Sequence, residues 1–366
     1  MKAGAGRVRA VPATVKGRGA ADNPRGRFER LQRESVDDGW EREGEAERAP
    51  RTEVTLVQAR AIISRNDSPD IPFNQAINPY QGCEHGCIYC YARPSHAYLG
   101  LSPGLDFETK LFAKTNAAQL LRAELSRPGY RCEHIALGAN TDPYQPIERK
   151  YGITRAILEV LAQCDHPLGI VTKSALVERD LDLLAPMARK GLVHVFVSIG
   201  TLDHEVMRRL EPRTTAPLRR LEVLSALSAA GIPCGVLVAP IIPFVNDRDM
   251  ETVLERAAAN GASMAGYQIL RLPYELKELF KQWLERHYPL KAAHVMSQIR
   301  QMRGGRENDP RFGKRMSGEG LFAELQANRF RLACERCGLS PDLRKRLDPT
   351  RFRPPSATSQ LDLFRE

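Results

Sequence analysis

Residues 78–91 read Asn78-Pro-Tyr-Gln-Gly-Cys83-Glu-His-Gly-Cys87-Ile-Tyr-Cys90-Tyr91. Three thiols at spacings of four and three follow a short stretch, Asn74–Asn78, that reads as a strand. Gly82 and Gly86 let the backbone fold tightly, so three thiolates can converge on one centre. Such a triplet leaves a coordination position for something else. A structural zinc would take its fourth ligand from His85 or from the distant pair Cys334 and Cys337. A four-iron cluster normally takes four protein ligands, so three imply one iron open to a substrate or cofactor.

Outward from this loop, short apolar runs alternate with amphipathic patterns. The further strands read as His134–Gly138, Leu168–Thr172, Val193–Ile199, Pro233–Pro240 and Tyr267–Leu272. Helices read as Ala117–Leu125, Thr154–Ala162, Asp180–Ala188, Leu218–Ala229 and Met250–Ala259. Strands alternating with helices predict successive βα units and a parallel sheet, an α/β fold. Polar residues follow several strands: Asn140-Thr141-Asp142, Lys173-Ser174 and Ser198. In a parallel barrel or open sheet that edge binds ligands.

The chain has 366 residues, enough for two domains or one large domain with extensions. No apolar run reaches the ~18–20 residues of a membrane span, and the basic N-terminus lacks the apolar core of a secretory signal. A cytoplasmic protein without a membrane partner is therefore expected. The eight cysteines cluster in a way that suits metal ligation better than disulfides. Of the net charge of +10, residues 1–33 carry nine Lys and Arg against two acids, and residues 301–366 fourteen against nine. Between these ends the chain is nearly neutral. Basic ends suit nucleic acid, although a solvated arm has the same composition.

The Cx3Cx2C spacing, with an aromatic before the last cysteine and at the end of the first strand of a βα series, resembles the radical S-adenosylmethionine (SAM) superfamily. The resemblance implies a partial (β/α)6 TIM-type barrel; the Gly-, Arg-, Ala- and Glu-rich residues 1–50, with few apolar anchors, read as a mostly disordered basic N-terminal arm, and the chain after Leu276 as a helical C-terminal extension. It implies a [4Fe–4S] cluster on Cys83, Cys87 and Cys90, an electron donor, and reductive cleavage of SAM to a radical that abstracts hydrogen from a substrate. The succession Thr141-Asp142, Thr172-Lys173-Ser174, Val197-Ser198-Ile199, Glu211-Pro-Arg-Thr-Thr and Val238-Ala-Pro-Ile-Ile is similar to the spore photoproduct lyase branch. By that resemblance Thr141 and Lys173 hold the methionyl end of SAM, Ser198 the ribose, and Tyr89 lies against the adenine through its backbone. One departure stands out: that branch has a cysteine at the end of the second strand, where this chain has Asn140. Cys132 lies before that strand. No residue is thereby assigned as catalytic.

The resulting division is an arm over 1–52, a radical SAM core over 53–275, a helical basic extension over 276–347, and a linker with a terminal motif over 348–366. The expected substrate is nucleic acid, damaged DNA in particular. The alternatives are a small molecule or protein substrate, or a DNA-associated iron–sulfur protein without catalysis. Asp142 and Glu148 read either as ligand-positioning acids or as turn and helix-start residues. Tyr91 and Tyr144 read as hydrogen relays, base-stacking residues or packing, and Arg271 as a contact for an anionic substrate. The chain ends Gln360-Leu361-Asp362-Leu363-Phe364-Arg-Glu after a polar linker. This resembles the peptide by which bacterial polymerases and repair proteins dock on the sliding clamp; folding back onto the core is the alternative.

Overall fold

The computed structural model describes residues 15–29, 50–342 and 347–355. Its centre is six parallel strands in consecutive order: Gln75–Ile77, Ile135–Leu137, Leu168–Thr172, Val193–Ser198, Cys234–Ile241 and Met264–Ile269. Each joins the next through a helical crossover, and such connections turn one way, so the sheet curves into a partial barrel. Ala117–Leu125, Ile153–Gln163, Leu181–Arg189, Pro217–Ala229 and Met250–Ala259 line its outside. They bury one apolar face against strands that are themselves buried; Val193–Ser198 is covered along its whole length.

The sixth strand begins three residues earlier than its apolar pattern suggests. Met264, Ala265 and Gly266 pair with Gly235, Val236 and Leu237, so residues outside the expected strand are sheet. The open edges are covered. Ile63–Arg65 pairs antiparallel with the first strand. Ser340 bridges to Met264 at the other edge, and an ion pair between Arg315 and Asp70, 2.5 Å, ties the C-terminal extension to the loop before the first strand. A second sheet, absent from the sequence reading apart from its start near Glu53, joins Glu53–Val57, Lys110–Lys114 and Tyr80–Gln81. The extension holds helices Leu276–His287, Ala292–Gln301 and Leu321–Cys337. The last packs on Met250–Ala259 through a two-pronged Arg329–Glu251 pair, both contacts 2.6 Å.

Residues 15–29, inside the arm read as mostly disordered, are instead held against the cysteine loop by main-chain hydrogen bonds. Gly19 N and Ala20 N donate to the Glu108 carboxylate, and Leu105 N donates to Asp22 O. Arg18 Nη1 to Glu108 O at 2.9 Å and the Arg27–Glu275 ion pair at 3.1 Å add side-chain anchors, and composition hides all of these because the partners lie far along the chain.

The strands run toward one mouth, and the opposite pole carries a second set of titratable groups. His166 is fully buried there, 2.8 Å from the Tyr130 hydroxyl and beside Phe352. Burial pushes its imidazole down to about 4, against an ordinary 6.5, and the hydrogen bond to Pro167 O only partly opposes this. The unfolded chain thus takes up the proton first. The stability His166 supports is present above pH 6.5 and is lost as pH falls from there through about 4, amounting to about 3 kcal/mol. Denaturant titrations between pH 7 and 4 should show a shallower acid loss in His166→Gln; parallel curves for the two proteins would refute the assignment.

Candidate active site

The cysteine loop leaves the first strand and the short strand Tyr80–Gln81 at the barrel mouth. Gly82 and Gly86 adopt φ of +75° and +67°, where L side chains are strained, and a Cβ at either would meet neighbours at 2.6 Å. The loop is anchored from outside. Cys83 N donates to Phe107 O and Ile88 N to Leu210 O. Arg93 donates from Nε to Cys87 O at 2.8 Å and from Nη2 to Gly86 O at 3.0 Å, while pairing with Glu108. Gly19 sits so close that a Cβ there would lie 1.9 Å from Gly86 O. Cys83 and Cys87 are buried, Cys90 is half-buried, and all are free thiols. Burial, then the charge of Asp142 and the other two thiols, pushes Cys83 well above the ordinary thiol range; burial and Glu211 raise Cys87 in the same way.

Across the mouth, Lys173 follows the third strand and Ser198 ends the fourth. The Lys173 ammonium lies 5.9 Å from the centroid of the Tyr89 ring, with no carboxylate at ion-pair distance among the described residues. Burial lowers its pKa, but the negative charge at Cys87 and Glu211 outweighs this and the net shift is upward. Ser198 is buried, its hydroxyl 3.4 Å from Ala239 O. Thr141 donates its hydroxyl to Tyr80 O at 2.9 Å, which leaves its lone pairs as acceptors. Cysteine loop, Lys173 and Ser198 are thus brought to one rim.

Other sequence-derived residues take the bland role. Asp142 Oδ1 accepts from Tyr144 N and Thr172 Oγ1, and Oδ2 from Lys173 N at 2.7 Å, with His85 Nδ1 at 3.3 Å. Burial raises this carboxyl, but His85 and the hydrogen bonds prevail and hold it at about 2. Both oxygens are occupied by the protein itself. Glu148, fully buried, accepts from Tyr80 OH, Thr154 N and Arg179. Tyr144 is fully buried, whereas Tyr91 is exposed at the mouth, donating to Ala139 O with the Arg271 guanidinium 5.8 Å from its ring centre. His85 is paired with Asp142, and Cys334 is buried in the barrel's hydrophobic core rather than beside the loop. Sequence reasoning missed Glu211, Arg220, Arg93 and Glu108, whose partners are distant in the chain or are backbone groups. Glu211 lay inside a quoted motif, but nothing local marks its partner Tyr89, 122 positions away.

A βα barrel with three thiols on the loop after its first strand defines an enzyme class, and comparison with known proteins agrees. The radical SAM superfamily model matches residues 77–257, and the chain belongs to that superfamily. It is a radical SAM enzyme, and its cofactors are a [4Fe–4S] cluster and SAM. Among curated relatives, an uncharacterized protein of Mycobacterium tuberculosis (strain ATCC 25618 / H37Rv) is 40% identical over 248 residues, 66% of this chain and 73% of its own. An uncharacterized protein of Methanocaldococcus jannaschii is 26% identical over 239 residues, covering 65% and 85%. In fold the chain is similar to spore photoproduct lyase complexed with dinucleoside spore photoproduct, with a TM-score of 0.58 at 20% identity over 79% of this chain and 81% of that one. Among the described residues no helix is long and apolar enough to cross a membrane.

Proposed function

We propose that this radical SAM enzyme acts on nucleic acid, with its cluster on Cys83, Cys87 and Cys90 and SAM across Tyr89, Thr141, Lys173 and Ser198. The residues fit these groups. Three free thiols share one buried loop, and a half-buried ammonium beside them lacks a carboxylate partner among the described residues, the complement of the methionyl carboxylate. Thr141 keeps lone pairs for the methionyl ammonium, and Ser198 offers a hydroxyl to the ribose. When bound, the cluster supplies the electron that cleaves SAM. The protein positions the sulfonium and excludes water.

Arg271 carries the substrate reading. It lies two residues past the sixth strand at the mouth, beside Tyr91, and its side-chain hydrogen-bond partner among the described residues is the Met316 sulfur at 3.6 Å. Its Nε is buried without a partner. Burial, with Arg315 nearby, lowers its pKa, and a phosphate would relieve both effects. An exposed tyrosine next to that guanidinium suits a base stacked above a phosphate. The lyase of similar fold was solved in complex with dinucleoside spore photoproduct, which supports the same reading. Asn140 stands at the mouth, and Cys132 precedes the second strand at the opposite pole. The proposed reaction therefore does not return hydrogen through a second-strand thiol.

The terminal Gln360–Phe364 motif lies outside the described residues. The described chain before it runs along the pole opposite the mouth, with Phe352 on Tyr130 and His166 and Arg353 N donating to Cys164 O. A sliding clamp held by the motif would thus attach near that pole and leave the mouth to the substrate. The test is anaerobic SAM cleavage by the full chain with single-stranded DNA, duplex DNA or RNA, with and without purified clamp. Nucleic acid is expected to stimulate 5′-deoxyadenosine formation, and clamp retention is expected to vanish in the Leu363→Ala/Phe364→Ala variant. No stimulation by any nucleic acid would overturn the substrate reading, and no clamp retention would overturn the docking.

A further inference from the structure

We infer that Glu211 is the positioning residue that aligns the SAM contacts with the cluster loop; this rests on the reading of Tyr89, Lys173 and Ser198 as those contacts. The Glu211 carboxylate sits just past helix His204–Leu210 and is almost completely buried. Oε1 accepts from the Tyr89 hydroxyl, and Oε2 accepts from Arg220 Nη2 and, at 3.3 Å, from Thr214 Oγ1. Arg220, equally buried, spends its other donors on two rim carbonyls: Nη1 on Ser198 O and Nε on Thr215 O, both 2.7 Å. Thr215 N in turn donates to Lys173 O at 3.4 Å.

Three loops that the chain delivers separately therefore meet at one carboxylate. The cysteine loop is held through Tyr89, the end of the fourth strand through Arg220, and the end of the third through Arg220 and Thr215. The charges require the anion as much as the geometry does. Burial alone would raise the Glu211 carboxyl, but Arg220, Lys173 and the Tyr89 hydroxyl hold it below its ordinary value. Without it Arg220 loses its carboxylate and repels Lys173, the ammonium aimed at the methionyl end. Tyr89 also loses the acceptor that fixes its ring between Cys87 and Cys90. Both Glu211 oxygens are taken by protein donors, Tyr89, Arg220 and Thr214. Glu211 therefore acts through the residues read as SAM contacts.

The test uses the full-length protein, reconstituted anaerobically, with SAM as the probe. Glu211→Gln keeps the volume and removes the charge. Its iron content is expected to match the parent, while SAM binds about ten-fold more weakly, the cost of one charge-assisted hydrogen bond. The electron paramagnetic resonance spectrum of the reduced cluster should shift less on SAM addition, a readout that fold stability alone does not move. Tyr89→Phe removes the hydroxyl facing Glu211 and should act in the same direction. The double variant should bind no more weakly than Glu211→Gln. Parental affinity in Glu211→Gln, or additive effects in the double variant, would overturn the inference. If Glu211→Gln fails to load iron, Tyr89→Phe decides, and unchanged affinity there overturns it. Lys173→Met and Ser198→Ala separate the two levels. If neither weakens SAM binding, the assignment of SAM contacts fails; if both do and Glu211→Gln does not, only the positioning role fails.

Discussion

Cys87→Ala protein, reconstituted anaerobically, is expected to cleave no SAM, and the same loss is expected for Cys83→Ala and Cys90→Ala. Each thiolate would hold a different iron, so removing one leaves two irons without a protein ligand, and the cluster loses the arrangement in which a single iron is open. The loop offers no substitute. His85 is turned to Asp142, and the remaining cysteines lie in the barrel wall, at the far pole or on the C-terminal helix. Parent protein should contain about four irons and four sulfides per chain. Cys334→Ala and Cys337→Ala should retain that content, because neither borders the loop. Stoichiometric zinc in anaerobically prepared protein, or full cleavage by Cys87→Ala, would refute the cluster assignment.

The barrel was legible because its signal is local. Apolar runs such as Leu168–Thr172 and Val193–Ser198 lie between amphipathic helices, and the strand ends carry Thr141, Lys173 and Ser198. The cysteine spacing was legible for the same reason. Illegible were contacts made by backbone groups or by residues far apart. The segment 15–29 has no apolar periodicity, yet Gly19 N and Ala20 N fill the Glu108 carboxylate. Strand Lys110–Lys114 is five residues long, and its partners come from residues 53–57 and 80–81, so no local pattern announces the sheet. Asp142 is a case the sequence left open between two readings. An acid at a strand end suits a ligand contact or a turn equally, and only its partners decide: its two oxygens are already bonded to Thr172, Lys173 and Tyr144.

Glu108→Ala should be the most damaging single change outside the thiols, and the reason lies in Arg93. Both side chains are fully buried, and Glu108 is the counter-ion of that guanidinium. Breaking a buried pair by removing one partner leaves an uncompensated charge and costs about 3–5 kcal/mol. The loss spreads in two directions. Inward, Arg93 fixes the Cys87 and Gly86 carbonyls at 2.8 and 3.0 Å, so its displacement frees the peptides on both sides of Cys87. Outward, Gly19 N and Ala20 N lose acceptors at 2.9 and 2.8 Å, which loosens residues 19–20 over the loop they cover. Cluster retention should therefore fail together with stability. Glu108→Ala should unfold at lower denaturant and lose its iron–sulfur absorbance in air faster than the parent. Glu108→Gln keeps an acceptor for the amides but not the charge, and should fall between them. Gly19→Val tests the outer arm with both members of the ion pair still present: its side chain collides with Gly86 O and crowds Arg93 Nη2, so bleaching should accelerate with a smaller loss of stability than in Glu108→Ala. Parental stability and parental air tolerance in Glu108→Ala would mean that the ion pair supports neither the fold nor the loop.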